Sequence, residues 1–327
     1  MLPRLTTVSR VLNNRGYLSQ ETKERVAEAI AQLNYRPNQI ARALHGKSTQ
    51  SIGLIVPTVA LPFFGELTEY VEDFLAEHGY RTFVCNSMGK ADRERDYLDL
   101  LVSHRVDGIV SSAHNDGLAD YSSIHLPVVS VDRDLSPTVP NVRCDNEAGG
   151  RLAAEHLLKR GARRPALLTS RTGIHNLREK GYRQVLQQAG IEPVVLTVDF
   201  NTPNGERPGL IRERLDLVAD DIDAVFATDD LAAAQVMEWA AERDLRIPDD
   251  FKVIGFDGTI AMQHALPALT TIQQPIANLA RAAVDLLLNR IESATAVSSE
   301  NKQQGEPWKD LQAPSPMPVR LLPGRTA

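Results

Sequence analysis

Cysteine is nearly absent from this chain of 327 residues: only Cys85 and Cys144 occur, each among apolar neighbours, in no Cys-x-x-Cys or Cys/His ligand spacing. That excludes a disulfide framework and a thiolate metal site, and leaves two buried structural thiols as the expectation. Long apolar runs are missing too. None approaches the ~18 residues needed to cross a bilayer, and the opening MLPRLTTVSR lacks the apolar centre of a secretory leader. The expectation is a cytoplasmic protein with no membrane partner. No G-x-S-x-G, Walker loop or H-E-x-x-H occurs, so the sequence points to no enzyme, no cofactor and no metal.

What is present is unevenly distributed. The net charge is −6, which speaks against a general nucleic-acid binder. Residues 1 to 50, however, hold eight Lys/Arg (Arg4, Arg10, Arg15, Lys23, Arg25, Arg36, Arg42, Lys47) against three acids (Glu21, Glu24, Glu28). This head is therefore +5, and the remainder carries −11. A small basic head on an acidic body offers one end to phosphate.

From Ser51 onward, short apolar or β-branched runs (SIGLIVP, TFVC, GIVS, VVSVD, ALLTS, PVVLTV, AVFAT, KVIGF, LTTIQ) alternate with segments of helical period such as FGELTEYVEDFLAEHG and EAGGRLAAEHLLKRG. That rhythm predicts an α/β fold of parallel sheets with helices on both faces. Nine or ten strands are too many for one small sheet, so two βαβ lobes are expected, with chain crossings at DNEAGG (145 to 150) and QQP (273 to 275). Residues 293 to 316 are polar, Pro-containing and aperiodic, and read as a loop or tail before a last strand, MPVRLL.

In the head, LTTVSRVLNN places Val8, Val11 and Leu12 on one side of a short helix and leaves Thr6, Thr7, Ser9, Arg10 and Asn13 on the other. Small hydroxyls, an arginine and an asparagine suit a helix that lies against a duplex. SQETKERVAEAIAQLNY follows, with Ser19, Glu21 and Thr22 forming a capped start and Val26, Ile30 and Leu33 facing inward. A short segment after Pro37 then runs to Gly46.

TVSRVLNN, LSQETKERV, LNYRPNQIARAL and the following IGLIVP closely resemble the head, hinge and first core strand of the lac repressor family, and the resemblance continues to the last strand. It implies a two-lobed, periplasmic-binding-protein-like core of parallel βαβ sheets, preceded by a partial all-α helix-turn-helix head. The implied division is a head over 1–37, a hinge helix and linker over 38–50, and an effector-binding and dimerisation core over 51–327. Within the core, an N-lobe would take 51–145 plus 275–300 and a C-lobe 146–274 plus 316–327. The resemblance makes Thr6, Thr7, Ser9, Arg10 and Asn13 part of a recognition helix. It adds Tyr35, Asn38, Ala41 and Leu44 from the hinge region, with Leu44 as a wedge that enters the minor groove and kinks the operator. Family members carry about a helix and a turn before the recognition helix, a space filled here by MLPRL alone. Two origins fit: a start codon placed too late, favoured by the undamaged head and hinge, or a crippled head that leaves a soluble sugar-binding sensor without operator binding.

The resemblance also implies a sugar in the cleft at the carboxyl ends of the strands, where an aromatic face and planar bidentate groups recognise hydroxyls. Loop positions that match ligand contacts are Phe63, Phe64, Asp132, Arg133, Arg178, Phe200, Asp229, Asp257 and Gln274. Asp230 reads as the cap of the next helix rather than a contact. In ribose-binding relatives an Asn precedes the Pro-Phe-Phe run. Here Leu61 does, so a neutral mono- or disaccharide, sucrose-like, is expected, with purines still open. These acids join no histidine or nucleophile constellation, which argues against a glycosidase. A transcriptional repressor follows, a homodimer on a palindromic operator whose DNA affinity a sugar alters.

Overall fold

The computed structural model describes residue 11 and residues 19–32, 48–113, 120–300 and 310–327. It divides into two units, Met1–Thr49 and Gln50–Ala327. In the first, helix α1 (Gln20–Gln32) buries Val26, and the Ser19 hydroxyl lies 2.8 Å from that of Thr22, the cap that the Ser-x-x-Thr spacing predicts.

The second unit holds two sheets. One joins β1 (Ser51–Val56), β2 (Arg81–Asn86), β3 (Gly108–Ser111), β4 (Val128–Val131) and β5 (Asn141–Val142) in the order β2-β1-β3-β4-β5, all parallel. The other joins β6 (Pro165–Thr169), β7 (Val194–Thr197), β8 (Ala224–Ala227), β9 (Lys252–Asp257), β10 (Thr270–Gln273) and β11 (Arg320–Leu322) in the order β11-β10-β9-β8-β6-β7, parallel except for β11. Every residue of β1, β3, β4, β6 and β8 is buried. These runs are mostly apolar because helices cover both faces, with Ser51, Ser111, Ser130 and Thr169 as buried exceptions.

Helices α2 (Pro62–Glu77), α3 (Ala91–Ser103) and the short α4 (Asp120–Ser123) belong to the first lobe. Helices α5 (Asn146–Lys159), α6 (Leu177–Gln188), α7 (Arg207–Asp216), α8 (Asp230–Glu242) and α9 (Ile260–Ala265) belong to the second. Helix α10 (Ile276–Glu300) returns to the first, where Leu279, Ala283, Val284, Leu287 and Ile291 pack with Leu67, Val110 and Val129.

The structure corrects two sequence expectations. Residues 293–300 are not loop: they extend α10, and the side chains that look loop-like bond back to the helix, Ser293 to the Asn289 carbonyl (2.9 Å) and Thr295 to that of Ile291 (2.8 Å). The two-residue β5 carries no periodicity and was not legible. Both thiols are free and buried, as expected.

One close approach sets the geometry of the second lobe. Gly150 of α5 and Gly181 of α6 face each other's backbones: a Cβ on Gly150 would overlap the Arg178 carbonyl, and one on Gly181 the Glu147 carbonyl. The two helices therefore meet at backbone contact, which brings the first turn of α5 against that of α6.

Candidate functional site

At the carboxyl ends of both sheets lies a cavity of 390 Å³, within the ~300–1,000 Å³ usual for small-molecule sites. Eight of the nine residues expected to contact effector line it: Phe63, Phe64, Asp132, Arg133, Arg178, Phe200, Asp229 and Asp257. Gln274 stands behind the wall. It is 3% exposed, donates from Nε2 to Asp257 Oδ1 (2.8 Å) and accepts from the Cys144 thiol (3.0 Å).

The apolar side comes from both lobes. Pro62 opens α2, which places Phe63 and Phe64 in its first turn, edge to face at 5.1 Å. Phe200, three residues beyond β7, meets Phe64 edge to face at 6.1 Å. Together they offer an aromatic wall for the C–H face of a sugar ring.

The polar side is organised around Arg178, at the second position of α6. Its Nε donates to Asn146 Oδ1 (2.7 Å), its Nη1 donates to the Thr228 carbonyl (2.6 Å), and its guanidinium lies 3.7 Å over the Phe256 ring. Asp257 and Asp132 lie 3.7 and 3.9 Å away. Asn146 returns a bond from Nδ2 to Asp132 Oδ1 (3.1 Å), so its amide links cation and carboxylate. Asp132 and Asp257 both have positive φ, +67° and +100°, in the region that side-chain-bearing residues rarely occupy. Strain of this kind persists only where surrounding bonds hold it. Burial pushes the Asp257 carboxyl well above the ordinary range, opposed by the Arg178 charge. The result is a bidentate donor beside two carboxyl groups, suited to adjacent hydroxyls.

Of the two acids after β8, it is Asp229, which also lines the cavity, and not Asp230 that caps the next helix. Asp229 is the cap of α8: its Oδ1 accepts from the Ala232 N–H (2.7 Å). Asp230 is not a cap. It accepts from the Thr271 hydroxyl (2.6 Å) and the Gly258 N–H (2.8 Å), and so clamps the strained turn that presents Asp257. Burial, chiefly, pushes its carboxyl up to about 7. An acid whose folded value lies above its unfolded one contributes stability below the unfolded value and loses it as pH rises through the folded one. Stability should therefore fall between pH ~4 and ~7, and Asp230→Asn should remove about 4 kcal/mol of that fall. Urea melts of both proteins across that range check this; parallel slopes would remove Asp230 as the cause.

Asn146, Thr228 and Arg207 also line the cavity and were not anticipated. Asn146 had a usable signal, because Asp145 caps α5 and leaves the next residue at the helix start facing the crossing. Arg207 had none.

The residues expected to touch DNA, namely Thr6, Thr7, Ser9, Arg10, Asn13, Tyr35, Asn38, Ala41 and Leu44, lie outside the described residues. Among the described residues no helix is long and apolar enough to cross a membrane.

Comparison with known proteins agrees with this architecture. Residues 5–38 match the profile of bacterial regulatory proteins of the lacI family, and residues 154–306 that of a periplasmic binding protein-like domain. The sucrose operon repressor of Streptococcus mutans is 40% identical over 294 residues, covering 88% of this chain and 89% of its own. The sucrose operon repressor of Pediococcus pentosaceus is 38% identical over 325 residues, covering 98% and 95%. Among solved structures, a periplasmic binding protein/LacI transcriptional regulator from Alkaliphilus metalliredigens in complex with D-xylulofuranose is similar. Its TM-score is 0.72 at 28% identity, with 85% of this chain and 99% of that one covered. With relatives at this identity over nearly the whole chain, and with both a regulatory head and a ligand-domain profile matched in order, the chain belongs to the lacI family of bacterial regulatory proteins, and its activity is regulation rather than catalysis.

Proposed function

We propose that this protein is the cytoplasmic repressor of a carbohydrate-utilisation operon, released from DNA by a small neutral sugar of the sucrose type. The observation that carries this reading is the Arg178–Asn146–Asp132 arrangement, with Asp257 beside Arg178, in one cavity with Phe63, Phe64 and Phe200. It provides a planar donor, two carboxyl groups and an aromatic wall, the minimum for gripping one polyhydroxylated ring. The names of the Streptococcus and Pediococcus relatives point to sucrose.

In this reading residues 1–37 form the head, 38–50 the hinge, and 51–327 the core, with the lobes divided at 145/146 and 274/275. Two chains bind a palindromic operator as a homodimer, one half-site each. The sugar favours one arrangement of the lobes, and that bias reaches the hinges. A coupling of ordinary size makes operator affinity fall about 5–150-fold when sucrose saturates the cleft. An electrophoretic mobility-shift series on palindromes near sugar-uptake genes, with and without sucrose, tests it. Sugar binding with no retained DNA fragment would replace the repressor by a sugar sensor, and retention indifferent to every sugar would remove the effector.

A further inference from the structure

At the chain crossing behind the cavity, we infer that Gln274 is a positioning residue rather than a sugar contact: its amide holds the ligand-bearing Asp257 carboxyl and is itself anchored on the Cys144 thiol. The inference rests on the sugar-effector reading and deepens it.

Gln274 is the first residue beyond β10, whose last residue, Gln273, pairs with Asp257 at the end of β9. Its N–H donates to the Asp257 carbonyl (3.0 Å), so backbone and side chain grip the same residue. Nε2 reaches Asp257 Oδ1, the oxygen that also lies 3.7 Å from Arg178 Nη1. Oδ2 is thereby left for a ligand hydroxyl. Asp257 lines the cavity, whereas neither Gln274 nor Cys144 does.

The other end of the amide is fixed from the core of the first lobe. Cys144, 130 residues away in sequence, packs in the same apolar cluster as Leu67 and Leu279 and is 1% exposed. Burial pushes its thiol well above the ordinary range, so it stays an S–H donor. It donates to Gln274 Oε1 at 3.0 Å. The backbone that carries it is pinned as well: the Asp145 N–H donates to the Met317 carbonyl (2.7 Å), and the Met317 N–H to the Arg143 carbonyl (3.0 Å). A carboxylate takes only the NH2 end of an amide, and a thiol donor only the oxygen end. The two partners therefore set one orientation. Because both side chains are buried, water replaces neither bond when it is lost.

The test is titration calorimetry of the full chain with sucrose, D-fructose and D-ribose, beside melting curves and infrared spectra of the S–H stretch without ligand. The variants are Gln274→Met, Cys144→Ala, Cys144→Ser and the combination of Cys144→Ala with Gln274→Met. Gln274→Met fills similar space without the amide and should weaken the tightest of these sugars about tenfold. Cys144→Ala removes an atom outside the cavity and should weaken it about threefold, the loss expected of a weaker donor. Cys144→Ser returns a donor and should bring affinity back to within about twofold of the wild type. In the Gln274→Met background, Cys144→Ala should have no further effect on the sugar. Without sugar, Gln274→Met should raise the frequency of the Cys144 S–H band, which Cys144→Ser identifies by its loss.

Sugar weakened by Gln274→Met but by neither Cys144 variant would make Gln274 a direct contact and overturn the inference. A lowered melting temperature with unchanged sugar affinity would make it merely structural, with the same result. An S–H band that Gln274→Met leaves in place removes the anchor. Should Gln274→Met fail to fold, loss in Cys144→Ala and rescue in Cys144→Ser decide the matter alone. If the wild type binds none of these sugars, the effector reading fails and the positioning role with it, and the infrared band keeps that result apart from a missing anchor.

Discussion

Arg178→Ala should abolish the response to sugar while the chain stays folded. The guanidinium lies against both carboxyl groups, the Asn146 amide, a backbone carbonyl and an aromatic face. Removing it deletes the bidentate donor and releases the Asn146 amide. It also leaves Asp132 and Asp257 without their cation. Truncating a buried anchor of this kind typically costs more than 2 kcal/mol of binding, and the paired charges raise that, so affinity should fall at least ~100-fold.

Stability should change less and in a pH-dependent way. Asp257 is already held above its ordinary range by burial, and Arg178 is the opposing influence. Without Arg178 the carboxyl rises further and stays protonated to higher pH. A raised acid supports the fold below its unfolded value and withdraws that support as pH climbs. The variant should therefore melt close to the wild type near pH 5 and fall behind it above pH 7. Calorimetric titration at both pH values, with thermal melts alongside, distinguishes the outcomes. Sugar affinity within about threefold of the wild type would remove Arg178 from the centre of the site.

Much of this site was legible because its residues stand at the ends of recognisable strands. Asp132 follows β4, Asp229 follows β8 and Asp257 ends β9, and a doubly wound sheet brings such positions to one edge whatever its loops look like. What escaped depends on direction and on partners distant in sequence. Asp229 and Asp230 are chemically identical neighbours, and only the exit angle of β8 decides which caps the helix and which turns beneath Gly258. Gln274 carries the right chemistry at the right crossing, yet its amide is consumed by Asp257. Arg207 belongs to a helix with little apolar pattern of its own, and its partner lies 22 residues away. The end of α10 was hidden by composition: serines and threonines read as loop until their hydroxyls bond back to the preceding turn.

Gly181→Val should destabilise the second lobe strongly, and it should lower sugar affinity beyond what lost stability explains. Gly181 is buried in the middle of α6, where a side chain would ordinarily help: replacing glycine by alanine in a helix interior gains ~1 kcal/mol, and by valine somewhat less. Here the added Cβ meets the Glu147 carbonyl, which is backbone and cannot rotate aside. Overpacking against fixed atoms costs ~1–3 kcal/mol and occasionally more, and valine adds two methyl groups to the clash. Steric cost therefore outweighs propensity, and Gly181→Val should lose about 3 kcal/mol in urea denaturation.

The functional effect follows from what the helix contact aligns. Forcing α5 and α6 apart draws Arg178 away from Asn146, whose 2.7 Å bond spans the two helices at the cavity wall. Lys180 and Gln184 bridge the same helices through Glu147, at 2.8 and 3.0 Å, and would be strained with it. Gly205 supplies the control, since a Cβ there meets nothing within 4 Å. Gly205→Ala should change neither stability nor sugar affinity. A Gly181→Val protein that melts like the wild type would show that α5 and α6 can separate without cost, and the site would then not depend on their contact.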